Sequence, residues 1–99
     1  MSGADVVVYG ASAAGVLAAV AARHVGASAL LVGPGAHVGG MVTSGLSWTD
    51  IGRVEAISGL VRHFYEQVAS YYSAPLFALK GPEPHVAEAI FLRLLEACD

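Results

Sequence analysis

The order of hydrophobic and polar positions in the first third of the chain predicts a strand, a helix and a second strand. Asp5 opens an apolar run, Val6–Tyr9, that is short and β-branched enough to be a buried parallel strand. Four alanines between positions 18 and 22 would let the following helix lie close against a sheet, and Gly26 would cap its C-terminal end. A second apolar run at residues 28–32 completes a predicted β-α-β unit.

Two amphipathic helices are predicted in the second half of the chain. Apolar residues keep helical spacing from position 54 to position 72, and Gly59 weakens that helix slightly. Pro84 suits a first helical position, and a second helix is predicted over residues 86–97. The predicted buried stripe of this second helix consists of Val86, Ile90, Phe91, Leu94 and Leu95.

The turn between the first strand and the first helix has the length of the G-x-G-x-x-G dinucleotide fingerprint. Ser12 takes the place of the middle glycine, which weakens the motif without abolishing it. A pyrophosphate needs backbone N–H groups at the start of a helix, where unpaired donors and the helix dipole favour an anion. Gly10 would allow the tight turn, Gly15 would allow close packing of helix on strand, and Ser12 offers a small side chain with a hydroxyl donor. The candidate phosphate-binding residues are Gly10, Ala11, Ser12, Ala13, Ala14 and Gly15.

The position that usually binds the adenosine ribose is changed in this sequence. The fingerprint expects an acidic residue about 20 residues on, at the end of the second strand, and Gly33 stands there. The loss of one hydrogen bond to a charged group costs about 1.5–3 kcal/mol, or about tenfold to a hundredfold in affinity. His37, in the loop that follows, is a candidate for a contact to a phosphate or to the ribose.

Composition bounds the class of protein. With 99 residues the chain is long enough for one small domain, and its apolar content of 56% and mean hydropathy of +0.63 suggest a surface that is meant to be covered. The formal charge of −3, with only 5 lysines and arginines, argues against nucleic acid as a partner. No apolar run reaches the roughly 18 residues that cross a bilayer, and no basic segment opens the chain, so we expect a cytoplasmic protein without a membrane span.

The remaining reactive residue types suggest no further chemistry. The 4 histidines have no spacing to cysteine or carboxylates that would suggest a metal site, and no serine lies in a G-x-S-x-G elbow. Cys98 is expected to be a packed thiol. We therefore expect neither a metal centre nor hydrolase chemistry.

Two clear strands are too few for a stable parallel sheet, because such sheets have several strands and both faces covered. We therefore expect an α/β fold, an incomplete Rossmann-like βαβ unit followed by two helices. Residues 1–52 would form the dinucleotide-binding half-motif with its glycine loop, and residues 53–99 a helical segment of the same domain. The chain is interpreted as the N-terminal piece of a longer protein, inactive alone, whose sheet is completed by the remaining chain or by a partner chain.

Three blocks of the sequence resemble the FAD-dependent oxidoreductases of the glutathione-reductase-like flavoprotein superfamily, in particular its xanthan-lyase-like bacterial subgroup. The blocks are residues 5–10 with Gly15, residues 39–52, and residues 83–88, which read Glu-Pro-His-Val-Ala-Glu. The resemblance implies FAD as the cofactor, with its pyrophosphate at residues 10–15, and redox chemistry by the flavin on a small-molecule substrate. It further implies that the backbone approaches the cofactor at Gly39 and Gly40 and that Met41, Val42 and Thr43 lie towards the flavin.

The same resemblance assigns no catalytic acid or base. Asp50 and His85 are the polar candidates inside the resembling blocks, and a structural role is open for both. Trp48 fits a packing residue better than a platform for substrate. Gly33 departs from the family's usual glutamate, so no ribose contact is carried over to this chain.

Two alternatives stay open at the level of function. The chain could be an NADP-binding reductase fragment, since the absent acidic residue would otherwise repel a 2′-phosphate. Against that, no Arg or Lys follows Gly33 before Arg53. The chain could also be a truncated, non-catalytic product that binds no cofactor.

Overall fold

The computed structural model describes residues 3–45, 49, 52–79 and 81–98. These residues form two strands, β1 (Val6–Tyr9) and β2 (Ala29–Val32), and three α-helices, α1 (Ala13–His24), α2 (Gly59–Tyr72) and α3 (Pro84–Glu96). Two short 3₁₀ turns, Gly40–Val42 and Val54–Ala56, lie between β2 and α2. The order of elements confirms the predicted α/β fold, an incomplete βαβ unit followed by two helices.

The two strands are parallel, and α1 makes the crossover between them. Val6 pairs with Ala29 and Tyr9 with Val32, so the register is fixed over all four residues of each strand. Because side chains alternate along a strand, Val7 and Tyr9 share one face with Leu30 and Val32. The prediction that β1 is buried is wrong: Val7 is 61% and Tyr9 85% exposed, since no described residue forms a third strand and α1 lies on the other face.

The hydrophobic core lies between the three helices. It brings together α1, α2 and α3, and the rings of Phe64 and Phe91 stack in it with 4.7 Å between their centroids. The predicted stripe of the last helix is confirmed, because Val86, Ile90 and Phe91 are buried and Leu94 and Leu95 lie partly buried against them. The fully buried members of the core include Val16, Val20, Val68, Ala87, Ile90 and Phe91.

The predicted helix over residues 54–72 is divided in the structure. Val54–Ala56 form a 3₁₀ turn, Ser58 is extended, and α2 begins at Gly59. Gly59 has a φ of +61°, in the left-handed region that glycine adopts without strain. This residue is therefore the first of the helix and does not weaken its interior. Pro84 is the first residue of α3, as predicted, which places the start of that helix two residues earlier than expected from the apolar pattern.

Two side-chain contacts join the ends of the helices. The Tyr72 hydroxyl donates to the Glu83 carboxylate over 3.1 Å and accepts the Glu83 N–H over 3.0 Å, which ties the end of α2 to the start of α3. Burial, together with the neighbouring Glu83 carboxylate, raises the pKa of Tyr72. The Arg23 guanidinium donates to the Cys98 carbonyl oxygen over 3.0 and 3.1 Å, which ties the end of α1 to the residues after α3.

Candidate functional site

The fingerprint turn joins the end of β1 to the start of α1. Gly10 has a φ of +114°, and its N–H donates to the Val32 carbonyl oxygen over 2.7 Å, so the turn stays attached to the end of β2. Ser12 is the N-cap of α1, and its hydroxyl oxygen accepts the Gly15 N–H over 3.2 Å. A serine at this place therefore satisfies one of the backbone donors that a helix start leaves unpaired.

Gly15 lies where α1 comes nearest to β1. A Cβ atom at this position would overlap the carbonyl oxygen of Gly10 and would lie 3.4 Å from Val8 Cγ1. Gly15 is also buried. Only glycine permits this approach, as expected for the last glycine of the fingerprint.

The second glycine loop, residues 34–40, contacts the fingerprint turn. The Gly39 N–H donates to the Ala11 carbonyl oxygen over 2.8 Å, and Ser12 and Gly39 form an isolated parallel bridge. A Cβ on Gly40 would lie 3.3 Å from Ser12 Cα and 3.8 Å from the Ala13 nitrogen. The structure thus brings the two predicted glycine segments together at the first turn of α1.

The two glycines of this loop have different surroundings. Gly39 has a φ of +104° and is buried, and a Cβ there would lie 2.9 Å from Phe91 Cδ2 and would overlap the Thr43 side chain. Gly40 has a φ of +56° and is exposed. Gly39 is therefore required by packing on α3, whereas Gly40 presents open backbone beside the start of α1.

The three residues after the loop point in different directions. Met41 is 74% exposed. Val42 is half-buried and lines an apolar cavity of about 270 Å³ together with Leu17, Phe64 and Phe91. The Thr43 hydroxyl donates to the Val38 carbonyl oxygen over 2.6 Å, so its proton is used within the loop itself.

A contact that the sequence did not predict holds the loop to α3. The Glu88 carboxylate accepts the Val38 N–H over 3.0 Å, and His37 Nδ1 lies 3.0 and 3.1 Å from its two oxygens. The Val38 N–H, and after it the His37 hydrogen bond, lowers the pKa of Glu88. Glu88 lies in the Glu-Pro-His-Val-Ala-Glu block, but the sequence analysis did not single it out, because its partner Val38 is 50 positions away in sequence.

His37 was a candidate for a phosphate or ribose contact. Its Nδ1 is instead turned to Glu88, and its side chain is 81% exposed. Of the two polar candidates for chemistry, His85 is an exposed residue in the first turn of α3, and Asp50 lies outside the described residues, as does Trp48.

Gly33 follows β2 directly and lies against the fingerprint turn. A Cβ at this position would be 2.8 Å from Ala11 Cβ and 3.3 Å from the Ala11 nitrogen. The predicted neighbourhood of this residue and the turn is therefore present, but the neighbourhood is tight. An acidic side chain at position 33 would have to displace Ala11 or its own backbone.

The electrostatics of the α1 start favour an anion. No acidic residue lies in the first turn of α1, so no like charge opposes an anion there. Within the described part of the chain, the Ala14 N–H has no acceptor. Unpaired N–H groups and the positive end of the helix dipole attract phosphate groups to such a place.

Neither a metal cluster nor a membrane-spanning helix is found among the residues that the structure describes. No three His, Cys, Asp or Glu side chains in residues 3–45, 49, 52–79 and 81–98 come together as metal ligands. None of the helices in those ranges is long and apolar enough to cross a bilayer.

The fold is consistent with an incomplete βαβ unit of the dinucleotide-binding class, whose members bind the dinucleotide at the start of the crossover helix. Comparison with known families narrows this class. The model of the FAD dependent oxidoreductase family matches residues 5–99, and the chain belongs to that family. No curated protein and no solved structure matches the chain.

Proposed function

We propose that this chain is the FAD-binding N-terminal segment of an oxidoreductase that acts on a small-molecule substrate. One observation carries the proposal: two glycine segments, residues 10–15 and residues 39–40, converge on the first turn of α1. That turn combines open backbone, an Ala14 N–H that has no acceptor among the described residues, and the positive end of a helix dipole. Membership of the FAD dependent oxidoreductase family supports the same reading.

The backbone of residues 10–15 would hold the FAD pyrophosphate. Gly10 and Gly15 have the conformation and the absence of Cβ that the fingerprint requires. The Ser12 oxygen accepts from Gly15, which leaves its hydroxyl proton for a phosphate oxygen, because a hydroxyl accepts and donates at once. Ala11, Ala13 and Ala14 would contribute their backbone only.

The second glycine loop would lie beside the same pyrophosphate. Gly40 is the member of the pair with an exposed backbone, and the exposed side chain of Met41 would be free to contact the flavin. Gly39, Val42 and Thr43 would act indirectly, since each contacts the core or the loop. When bound, FAD supplies the redox chemistry, and the residues of this chain bind and orient it.

The proposal includes membership of the xanthan-lyase-like subgroup and a division of the chain into a cofactor-binding part and a supporting part. Residues 39–52 support the xanthan-lyase-like subgroup. Residues 1–52 would contact the cofactor and residues 53–99 would support them, since α3 packs on Gly39 through Phe91. One face of the sheet exposes four apolar side chains, those of Val7, Tyr9, Leu30 and Val32. Because parallel sheets usually have both faces covered, a further segment of the protein or a partner chain would cover this face.

The NADP alternative has less support from the same region. Specificity for a 2′-phosphate needs a cation near the end of β2. The residues from Gly33 to Gly52 contain no Arg or Lys, and the Arg23 guanidinium is held by the Cys98 carbonyl oxygen. FAD is therefore the cofactor to test first.

Titration of the chain with FAD, followed by flavin fluorescence anisotropy, tests the proposal. We expect saturable binding that ADP reverses by competition. Saturable binding of NADP without any binding of FAD would favour the reductase alternative. No binding of either by a folded chain, with folding checked by circular dichroism, would contradict the proposal.

The ribose position offers a sharper test of the same site. Ala11→Gly removes the Cβ that a side chain at position 33 would meet at 2.8 Å. The double variant A11G/G33E should therefore bind FAD about tenfold or more tightly than A11G, because a carboxylate is restored where the family binds the ribose. A11G/G33Q is the matched control, which adds the side chain without the charge. Equal affinities of A11G/G33E and A11G would contradict this placement of the ribose.

A further inference from the structure

Glu88 is the only charged side chain of α3 with a described contact to the second glycine loop. Its side chain is 20% exposed, and its carboxylate accepts the Val38 N–H over 3.0 Å. Because a carboxylate only accepts, the proton between Glu88 and His37 must sit on His37 Nδ1. The carboxylate thus receives two donors from consecutive residues of the loop.

A short series of contacts links this carboxylate to the phosphate-binding turn. Val38, held by Glu88, is followed directly by Gly39, whose N–H donates to the Ala11 carbonyl oxygen. One turn further along α3, Phe91 lies under Gly39 and leaves no room for a Cβ. The same face of α3 therefore contacts the loop twice. The Glu88 carboxylate accepts the Val38 N–H, and the Phe91 ring packs against Gly39.

We propose that Glu88 is a positioning residue for the cofactor site: through the Val38 N–H it holds Gly39 and Gly40 against the start of α1. This inference rests on the proposed function, since the place it shapes is the pyrophosphate site. The described hydrogen bonds of Glu88 go to His37 and Val38, so it acts on the fingerprint turn through the loop. Without this contact the loop would keep the Gly39 hydrogen bond to Ala11 and the packing of Gly39 on Phe91, but it would lose its polar contact with α3 two residues before Gly40.

Amide hydrogen exchange and FAD titration of the same variants test the inference. Glu88→Ala removes the acceptor, and Glu88→Gln keeps an oxygen that can accept the Val38 N–H. Glu66→Ala is the matched control, because Glu66 is also a helical carboxylate next to a histidine, His63, and contacts no loop glycine. His37→Ala removes the histidine while leaving the Val38 contact in place.

We expect E88A to speed exchange of the Val38 and Gly39 amides and to weaken FAD binding by about threefold to tenfold, the effect of one hydrogen bond. E88Q should restore both properties to within about twofold of the wild type, and E66A and H37A should stay in that range. Faster exchange in E88A with unchanged FAD affinity would overturn the positioning role. Unchanged exchange would overturn the contact itself, and a loss of affinity in H37A equal to that in E88A would overturn its assignment to the Val38 amide.

The arrangement of the experiment separates this inference from the proposed function. If the wild-type chain binds no FAD, the proposed function fails and the positioning role fails with it. If the wild type binds FAD and E88A binds it equally well, only the positioning role fails. Should E88A not fold, exchange at Val38 in the wild type, H37A and E88Q still decides the matter: a protected Val38 amide in all three supports its hydrogen bond to position 88, and an unprotected Val38 amide in the wild type, or a common loss of affinity in H37A and E88Q, overturns it.

Discussion

Gly15 shows how much of this site depends on the absence of a single side chain. A Cβ at this position would overlap the Gly10 carbonyl oxygen, and the atoms on both sides belong to backbone or to the packed strand. We expect Gly15→Val to destabilise the fold by about 1–3 kcal/mol, the usual result of overpacking, and to abolish FAD binding. Urea unfolding and FAD titration measure the two effects.

Gly35→Ala is the control for that substitution. A Cβ on Gly35 would meet only the His37 nitrogen, at 3.9 Å, which is an ordinary contact. We expect its stability and FAD affinity to equal those of the wild type. Normal FAD binding by Gly15→Val would contradict the assignment of residues 10–15 to the pyrophosphate.

Spacing along the sequence predicts some contacts of single residues and misses others. Gly15, and the nearness of Gly33 to the turn, follow from a local pattern in which the glycines and the strand end have fixed distances along the chain. The contact of Glu88 with His37 joins residues 51 positions apart and depends on how α3 packs, which no local pattern contains. The pattern places Gly33 near the turn but does not give the distance to Ala11, so the close contact that an acidic side chain at position 33 would make with Ala11 could not be predicted.

At the scale of elements, the cap of α1 is a feature with a measurable effect. The Ser12 hydroxyl accepts the Gly15 N–H, whereas Ser58, at the same place before α2, makes no side-chain cap hydrogen bond. We expect Ser12→Ala to lower the free energy of unfolding by about 1 kcal/mol, the typical value for an N-cap. Ser58→Ala is the matched control and should change it by less than about 0.5 kcal/mol. Urea unfolding followed by circular dichroism measures both, and equal effects would contradict the role of the Ser12 cap.

The existence of the elements could be predicted, and their limits less well. Both strands and the crossover helix were expected because apolar runs and glycines alternate in a pattern that has one common meaning. The break between the 3₁₀ turn Val54–Ala56 and α2 was missed, because the apolar residues keep helical spacing across it. The positive φ of Gly59 marks that break, and from sequence alone the same glycine fits the interior of a helix.

The whole molecule is slightly more open than a compact domain of its length. Its radius of gyration is 13.7 Å, whereas about 12.6 Å is typical of 99 residues. The core lies on the helical side of the sheet, and the opposite face leaves Val7, Tyr9 and Leu30 exposed. The apolar excess of the sequence predicted such a surface, but the composition alone could not say that it lies on the sheet.

The contact between α3 and the second glycine loop should make the free energy of unfolding depend on pH. The Val38 N–H, and then His37, lowers the pKa of Glu88 below its ordinary value of 4.5. A carboxylate whose pKa is lower in the folded state stabilises the fold most at a pH above its pKa in the unfolded state. This stabilisation is lost as the pH falls through its pKa in the folded state.

Gln at position 88 cannot titrate but has nearly the shape of the protonated acid. We therefore expect the wild type to be more stable than Glu88→Gln at pH 7 and the difference to vanish as the pH falls well below 4.5. Urea unfolding of both proteins between pH 7 and pH 3, with Glu66→Gln as the control for general acid effects, measures this difference. A difference that stays constant, or that grows as the pH falls, would mean that the folded state does not favour the ionised form of Glu88.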